Sequence, residues 1–191
     1  MRRPLGRLRI IGGEFRSRLI DFDAEAGVRP TPDRVRQTVF DWLTMMIDGS
    51  SVLDLFAGSG ALGLEAVSRG AAQASFVETG AKQAEDIRAA IGKLDAGSRC
   101  EVVRGDGISF LRGTPNRYEI VFVDPPYDSP LLGSTLANLP RVLKPMNRIY
   151  LEWPKGKPPA LPAGYSLIKE KAAGQVSYGL FTYAPPGEPP P

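Results

Sequence analysis

The run Val121-Phe122-Val123-Asp124-Pro125-Pro126-Tyr127 ends an apolar stretch in an acid, two prolines and an aromatic ring. This combination offers acceptors and withholds donors. An ionised aspartate accepts hydrogen bonds, and a proline keeps its carbonyl but has no N–H. Such acceptors suit an aromatic amine. If both its N–H groups are held, the nitrogen lone pair is drawn out of conjugation and becomes nucleophilic, so that positioning and electrostatics carry the reaction. Tyr127 adds a face on which an unstacked base can rest. A bare turn with a capping aspartate is the competing reading of the same four residues. The chain has no histidine, and Cys100 is its single cysteine. This excludes Ser-His and Cys-His nucleophile pairs, a histidine acid or base, an internal disulfide and a thiolate zinc cluster. No metal site is expected, and Cys100 reads as a small core residue.

A second constellation lies upstream. Asp54-Leu55-Phe56-Ala57-Gly58-Ser59-Gly60-Ala61-Leu62-Gly63 contains G-x-G-x-x-G between a short apolar run and a helical stretch. The glycines allow a tight turn and close approach of a ligand, and the helix start favours an anionic group. Glu78 follows 20 residues after Gly58, where an acid can hold a ribose hydroxyl. Both NAD and S-adenosylmethionine would place a ribose there. Two features favour S-adenosylmethionine. Asp54 sits before the loop, where it can answer the positive methionine end and where dinucleotide sites more often carry an apolar residue. Asp106, in Gly105-Asp106-Gly107, can reach an adenine amino group. Each acid could instead cap a helix or bond loop amides, but three acids at successive strand ends fit a ligand better. The candidate cofactor residues are Asp54, Phe56, Gly58, Ser59, Gly60, Glu78, Asp106 and Gly107. The candidate catalytic residues are Asp124, Pro125, Pro126 and Tyr127.

These residues require strands that end at one edge. Runs at 52–56, 74–78, 99–104, 118–123 and 148–153 read as strands, and 61–68, 81–94, 108–111 and 131–143 as intervening helices. Alternation of this kind predicts a doubly wound, mostly parallel sheet with right-handed crossovers. Residues 118–123 read as buried on both faces. Segments 166–171 and 175–183 bracket Ala172-Ala173-Gly174 and predict an antiparallel hairpin at the sheet edge. Near the start, residues 8–11 and 15–20 flank Gly12-Gly13 and predict a small hairpin turning on that pair. A helix follows, with Thr31 as cap, Pro32 at its first position and Val35, Val39, Trp42, Leu43 and Met46 on its core face.

The 191 residues suit one α/β domain with a small appendage. The expected division is a basic arm and hairpin over 1–30, the main domain over 31–184 and a disordered proline-rich tail over 185–191. Residues 1–40 hold nine arginines and five acids, a net +4 within a total of +3, so the remainder is near neutral. A basic arm on a neutral body points to a polyanionic partner, although a solvated face would read alike. No apolar run is long enough to span a bilayer and no signal core follows the basic start, so a cytoplasmic protein is expected.

Taken in order, Asp54-Leu55-Phe56-Ala57-Gly58-Ser59-Gly60 and Asp124-Pro125-Pro126-Tyr127 resemble the amino-group methyltransferases of DNA and RNA. More narrowly, the chain resembles the RsmD-type small-subunit (16S) ribosomal RNA guanine-N2 methyltransferases. That resemblance runs from about residue 9 to 183. It is carried by Arg9-Ile10-Ile11-Gly12-Gly13, Arg29-Pro30-Thr31, Asp33-Arg34-Val35-Arg36, the glycine loop through Ala66, and Ala173-Gly174-Gln175-Val176-Ser177-Tyr178. It implies a Rossmann-like class I methyltransferase fold with a seven-stranded sheet, S-adenosylmethionine as donor, and a guanine of small-subunit ribosomal RNA as acceptor. It further implies that the RNA is met in an assembled or assembling subunit; nothing in the sequence demands a dimer, so a monomer is expected. Arg9, Arg16, Arg18, Arg29, Thr31, Arg34 and Arg36 become candidates for RNA contact, since arginines pair well with phosphates. Thr79 and Ala89-Ala90 depart from the pattern of relatives near the cofactor. An adenine-N6 methyltransferase, an NAD-dependent dehydrogenase and a non-catalytic RNA-binding protein are the competing readings.

Overall fold

A computed structural model describes residues 5–24, 27, 29–126 and 130–191. β1 (Leu5–Arg9) and β2 (Leu19–Asp23) form a two-stranded antiparallel sheet, followed by α1 (Asp33–Leu43). The alternating part comprises β3 (Ser51–Asp54), α2 (Ala61–Ser68), β4 (Gln73–Glu78), α3 (Ala81–Lys93), β5 (Cys100–Arg104), α4 (Gly107–Gly113), β6 (Tyr118–Val123) and α5 (Leu131–Asn138). β7 (Leu143–Pro154), β8 (Tyr165–Ala173) and β9 (Val176–Tyr183) complete a seven-stranded sheet in the order β5-β4-β3-β6-β7-β9-β8. β9 runs antiparallel to both β7 and β8, whereas the neighbouring pairs from β5 to β7 are parallel. The expected doubly wound sheet with its C-terminal hairpin is therefore present. Gly174 takes φ +59° at the two-residue turn of that hairpin, a backbone conformation that suits glycine.

Successive side chains of a strand face opposite ways, and here both faces are covered. Ile120, Val121, Phe122 and Val123 are fully buried, as the apolar run predicts. Ile120 and Phe122 join a cluster with α1, α2 and α3, and Val121 and Val123 join one with Leu111, Leu136 and Leu139 on the other face. The connection from β3 leads outward to β4 and β5, and the chain then returns to place β6 on the other side of β3. The strand order thus reverses between β3 and β6. A ligand crevice in such sheets opens outside the carboxyl ends at that point.

Three local expectations differ from what forms. The first hairpin pairs Arg9 with Leu19, so residues 10–18 form a longer connection and Gly12-Gly13 is not its turn. Gly13 is required for another reason: it has φ +79°, and an added Cβ would lie 1.8 Å from the Ser68 carbonyl oxygen at the end of α2. Thr31 does not cap α1, because Pro32 occupies the cap position. α5 stops at Asn138 and narrows to a 3₁₀ turn at Leu139–Val142, where Pro140 has no N–H to give.

The hairpin shares its core with the main domain, since Leu8, Ile10, Phe15, Ile20 and Phe22 belong to the cluster that contains Val39, Leu64 and Ile87. Its polar anchor is Glu65, a lone acid in the otherwise apolar α2 and fully buried. One Glu65 oxygen accepts the Gly12 N–H at 2.9 Å and Arg69 Nε at 2.8 Å. The other accepts the Ile11 N–H at 2.9 Å and the Arg36 guanidinium at 3.1 Å. Arg36 also donates to the carbonyls of Thr31 and Arg9 and to Asp33. Charge and hydrogen-bonding capacity are both met, which is what allows these groups to be buried. Removing one partner strands the other. Glu65→Ala and Arg36→Ala should each lower unfolding stability by about 3–5 kcal/mol in urea titrations. A loss below about 1 kcal/mol in both would show that the brace bears little of the fold.

Candidate active site

The loop between β3 and α2 is shaped by its glycines. Gly58 and Gly60 take φ +55° and +76°, and the Gly60 N–H closes a turn on the Ala57 carbonyl at 2.7 Å. Gly63 lies where a Cβ would come 2.3 Å from the Phe76 ring, so the third glycine lets α2 approach β4. Two acids pin the loop. Glu78, at the end of β4, accepts the Gly58 N–H at 2.8 Å and the Gly80 N–H at 2.8 Å. Asp54, at the end of β3, accepts the Gly63 N–H at 2.9 Å and is 4% exposed.

A cleft of about 340 Å³ opens above this loop. Its lining includes Asp54, Phe56, Gly58, Ser59, Glu78, Gly107, Asp124, Pro125 and Pro126, with Arg29, Pro30 and Thr31 from the segment before α1. Most of the expected cofactor residues and three of the expected catalytic residues are therefore brought to one cavity. Gly60 belongs to the same loop as the N-cap of α2. Asp106 does not line the cavity. It caps α4 by accepting the Ser109 N–H at 2.7 Å, and this bond holds its carboxyl below the usual range. Tyr127 lies outside the described residues.

Asp124 follows Val123, which is paired with Leu151 in the parallel register of β6 and β7. Continuing that register puts Asp124 beside Glu152, and the two-residue alternation turns both to the face that carries Phe122 and Tyr150. Asp54, paired with Phe122, shares this face. Three carboxyl groups thus converge at the carboxyl ends of three adjacent strands. Burial, with smaller contributions from the charges of Glu152 and Asp54, pushes Asp124 up to about 8. Burial likewise pushes Asp54 up to about 7; the Gly63 N–H lowers it and Glu78 raises it.

The expected RNA-contact residues are not gathered in one place. Arg29 and Thr31 line the cleft, and Arg34 is exposed on the first turn of α1. Arg9 is exposed, with Asp33 3.7 Å away. Arg16 and Arg18 are exposed on the 10–18 connection. Their neighbourhood is the far end of the sheet: Arg18 donates to the carbonyl of Lys93, the last residue of α3, and Phe15 to Ser68 at the end of α2. Arg36 must be withdrawn from the set. Its side chain is fully buried and its donors are spent on Glu65, Asp33 and two carbonyls, so it serves the fold.

Reasoning from sequence missed Glu65 and Glu152. Each is the lone acid of its element, and that isolation was the available signal. Glu152 accepts the Tyr150 hydroxyl at 2.6 Å and faces the Thr31 hydroxyl at 3.4 Å.

The raised acids make a testable statement about stability. In the unfolded chain an aspartate ionises near pH 4, whereas Asp54 and Asp124 hold their protons to about 7 and 8 in the folded protein. The folded state then binds more protons between these limits, so its stability falls as pH rises from about 4 to 8. Asp54→Asn and Asp124→Asn should each flatten that slope in thermal melts of the ligand-free protein. Parallel slopes for both variants and the unmodified chain would contradict the raised values.

Three comparisons with known proteins agree with this geometry. The profile of the family described as Conserved hypothetical protein 95 matches residues 8–182. "Ribosomal RNA small subunit methyltransferase D" of Escherichia coli strain K12 is 43% identical over 188 residues, covering 96% of this chain and 93% of that protein. The protein of the same name from Haemophilus influenzae is 39% identical over 181 residues, covering 92% and 94%. The solved structure of the Escherichia coli protein yhhF is 42% identical, with a TM-score of 0.84 over 93% of this chain and 98% of that one. The seven-stranded class I methyltransferase sheet, the glycine loop closed by Asp54 and Glu78, and these near-full-length matches lead to one assignment: the chain belongs to the Conserved hypothetical protein 95 family, that of the ribosomal RNA small subunit methyltransferase D proteins, enzymes that use S-adenosylmethionine.

Proposed function

We propose that this protein transfers the methyl group of S-adenosylmethionine to the exocyclic N2 of a guanine in small-subunit ribosomal RNA. The observation that carries this reading is the position of Asp124, Pro125 and Pro126 at the end of β6, directly across the strand-order reversal from Asp54 and the glycine loop. The names of the relatives supply the RNA. The residues present fit the cofactor. Two buried acids whose protons are held first by desolvation, and then by the neighbouring charges of Glu78 at Asp54 and of Glu152 and Asp54 at Asp124, suit a ligand with positive charge. Asp54 would meet the methionine ammonium, Glu78 the ribose hydroxyls, and Asp106 with Gly107 the adenine. When bound, the cofactor supplies an electrophilic methyl on a sulfonium.

The chain's own residues then bind and orient the amine. Asp124, ionised beside the sulfonium charge, accepts one N2 hydrogen, and the carbonyl of Pro125 accepts the other. Holding both turns the nitrogen lone pair towards the methyl, and the proton lost after transfer has Asp124 within reach. Tyr127 is assigned the stacking face. Arg29, Thr31 and Arg34 are assigned to RNA at the cleft mouth, and Arg9 to its flank. Arg16 and Arg18 would meet RNA only in a substrate large enough to reach the far end of the sheet, as a ribosomal subunit is. We place the enzyme in the cytoplasm as a monomer that acts on an assembled or assembling subunit. Among the described residues no helix is long and apolar enough to cross a membrane.

Radiolabelled S-adenosylmethionine and small subunits from cells lacking the endogenous enzyme test the proposal. Digestion should place the label in N2-methylguanosine. Label in N6-methyladenosine would overturn the base assignment, and label in no RNA would overturn the activity. Asp124→Asn should lower turnover at least about 100-fold while cofactor affinity stays within a few-fold. Near-normal turnover would remove Asp124 from the mechanism.

A further inference from the structure

The carboxylate of Glu152 is assigned neither to the methyl donor nor to the reacting amine, yet it is built into the same face. It stands one strand beyond Asp124, on the side away from Asp54. Tyr150, which supports it, is fully buried, with its ring 6.1 Å from Phe122 and 6.3 Å from Tyr178. The Tyr150 hydroxyl donates to one Glu152 oxygen at 2.6 Å, and the Thr31 hydroxyl approaches the same oxygen at 3.4 Å. Thr31 lines the cleft, so one of these two hydroxyls ties the carboxylate to the cleft wall and the other ties it to the core. A carboxylate has about four acceptor sites, and it cannot donate while ionised. The two hydroxyls, both directed at one oxygen, set its direction.

We infer that Glu152 reads the ring N1–H of the target guanine, and so selects guanine over bases whose corresponding ring nitrogen carries a bare lone pair. The inference rests on the guanine-N2 reading above. In guanine the N1–H lies next to the N2 amine. An amine held by Asp124 and Pro125 at the end of β6 therefore turns its ring neighbour towards an adjacent strand, and β7 is the strand on the side away from the cofactor loop. An acceptor-only group there rewards an N–H and repels a lone pair. Adenine presents a lone pair at N1. The Asp-Pro-Pro segment grips an aromatic amine of either base, so discrimination must come from a group beyond it. A site built to hydrogen-bond one partner rejects an analogue that lacks the donor far more strongly than an apolar pocket rejects a change of size.

The test uses small subunits reconstituted with RNA carrying guanine or 2-aminopurine at the methylated position. 2-Aminopurine keeps the N2 amine and has a bare lone pair at N1. The unmodified enzyme should prefer guanine in kcat/KM by at least about tenfold. Glu152→Gln should lower guanine turnover about 10–100-fold, the value of a hydrogen bond to a charged group. It should also raise relative turnover on 2-aminopurine, because the glutamine amide can donate to N1, so that the preference collapses or reverses. An equal loss on both bases, with the preference intact, would overturn the inference and leave Glu152 a structural residue. Cofactor binding by calorimetry checks that the variant folds. If it does not, Thr31→Val carries the test: the preference should narrow a few-fold, and an unchanged preference would overturn the inference. Label that appears in adenine, or in no RNA, from the unmodified enzyme would instead be a failure of the guanine-N2 reading itself.

Discussion

Like charges do not gather in a protein interior unless something repays them, and here Asp54, Asp124 and Glu152 gather at the carboxyl ends of β3, β6 and β7. Much of the surrounding structure serves to hold that arrangement. The Asp54 carboxyl is fastened to α2 through the Gly63 N–H, and Glu78 draws in the Gly58 N–H, so the acids shape the glycine loop as much as the loop presents them. The parallel register from β3 to β7 fixes the spacing, and the complete burial of Phe122 and Tyr150 beneath the acids denies them water from below. In the ligand-free protein the cost appears as protons held at Asp54 and Asp124 towards neutral pH. A cation in the cleft repays it.

A second buried carboxylate works by the opposite logic. Glu65 has two guanidinium groups and two backbone N–H groups for partners, and together they tie the first hairpin and the start of α1 to α2. The tie matters to the cleft because Arg36 also holds the carbonyl of Thr31, one residue of the cleft wall. The hydroxyl of Thr31 faces Glu152. A continuous path of hydrogen bonds therefore joins the brace in α2 to the cleft wall.

The fold was legible because its signals are local and periodic. Alternating apolar runs set the strands, and Val121-Phe122-Val123 announced a strand buried on both faces. The glycine loop and Asp124-Pro125-Pro126 were legible because their residue types serve a chemistry at a strand end. What was misread depends on distant partners. Gly12-Gly13 looked like a turn, but Gly13 is needed where the chain meets Ser68 across 55 positions. Arg36 looked like one more basic residue of the arm, and its burial follows from Glu65, which sequence gives no means of pairing with it. Glu152 became visible only when the register of β6 and β7 set it beside Asp124.

The central claim is that the acids at the strand-order reversal wait for a positive charge. Titration calorimetry of S-adenosylmethionine and S-adenosylhomocysteine, in buffers of different ionisation enthalpy between pH 6 and 9, tests it most directly. Both ligands carry the ammonium assigned to Asp54, and only the first carries a sulfonium. A cation favours the ionised acid, so binding should release protons near neutral pH, with more released by S-adenosylmethionine. Its affinity relative to S-adenosylhomocysteine should rise with pH through about 8, where Asp124 gives up its proton. Equal proton counts and a flat affinity ratio across that range would contradict the account.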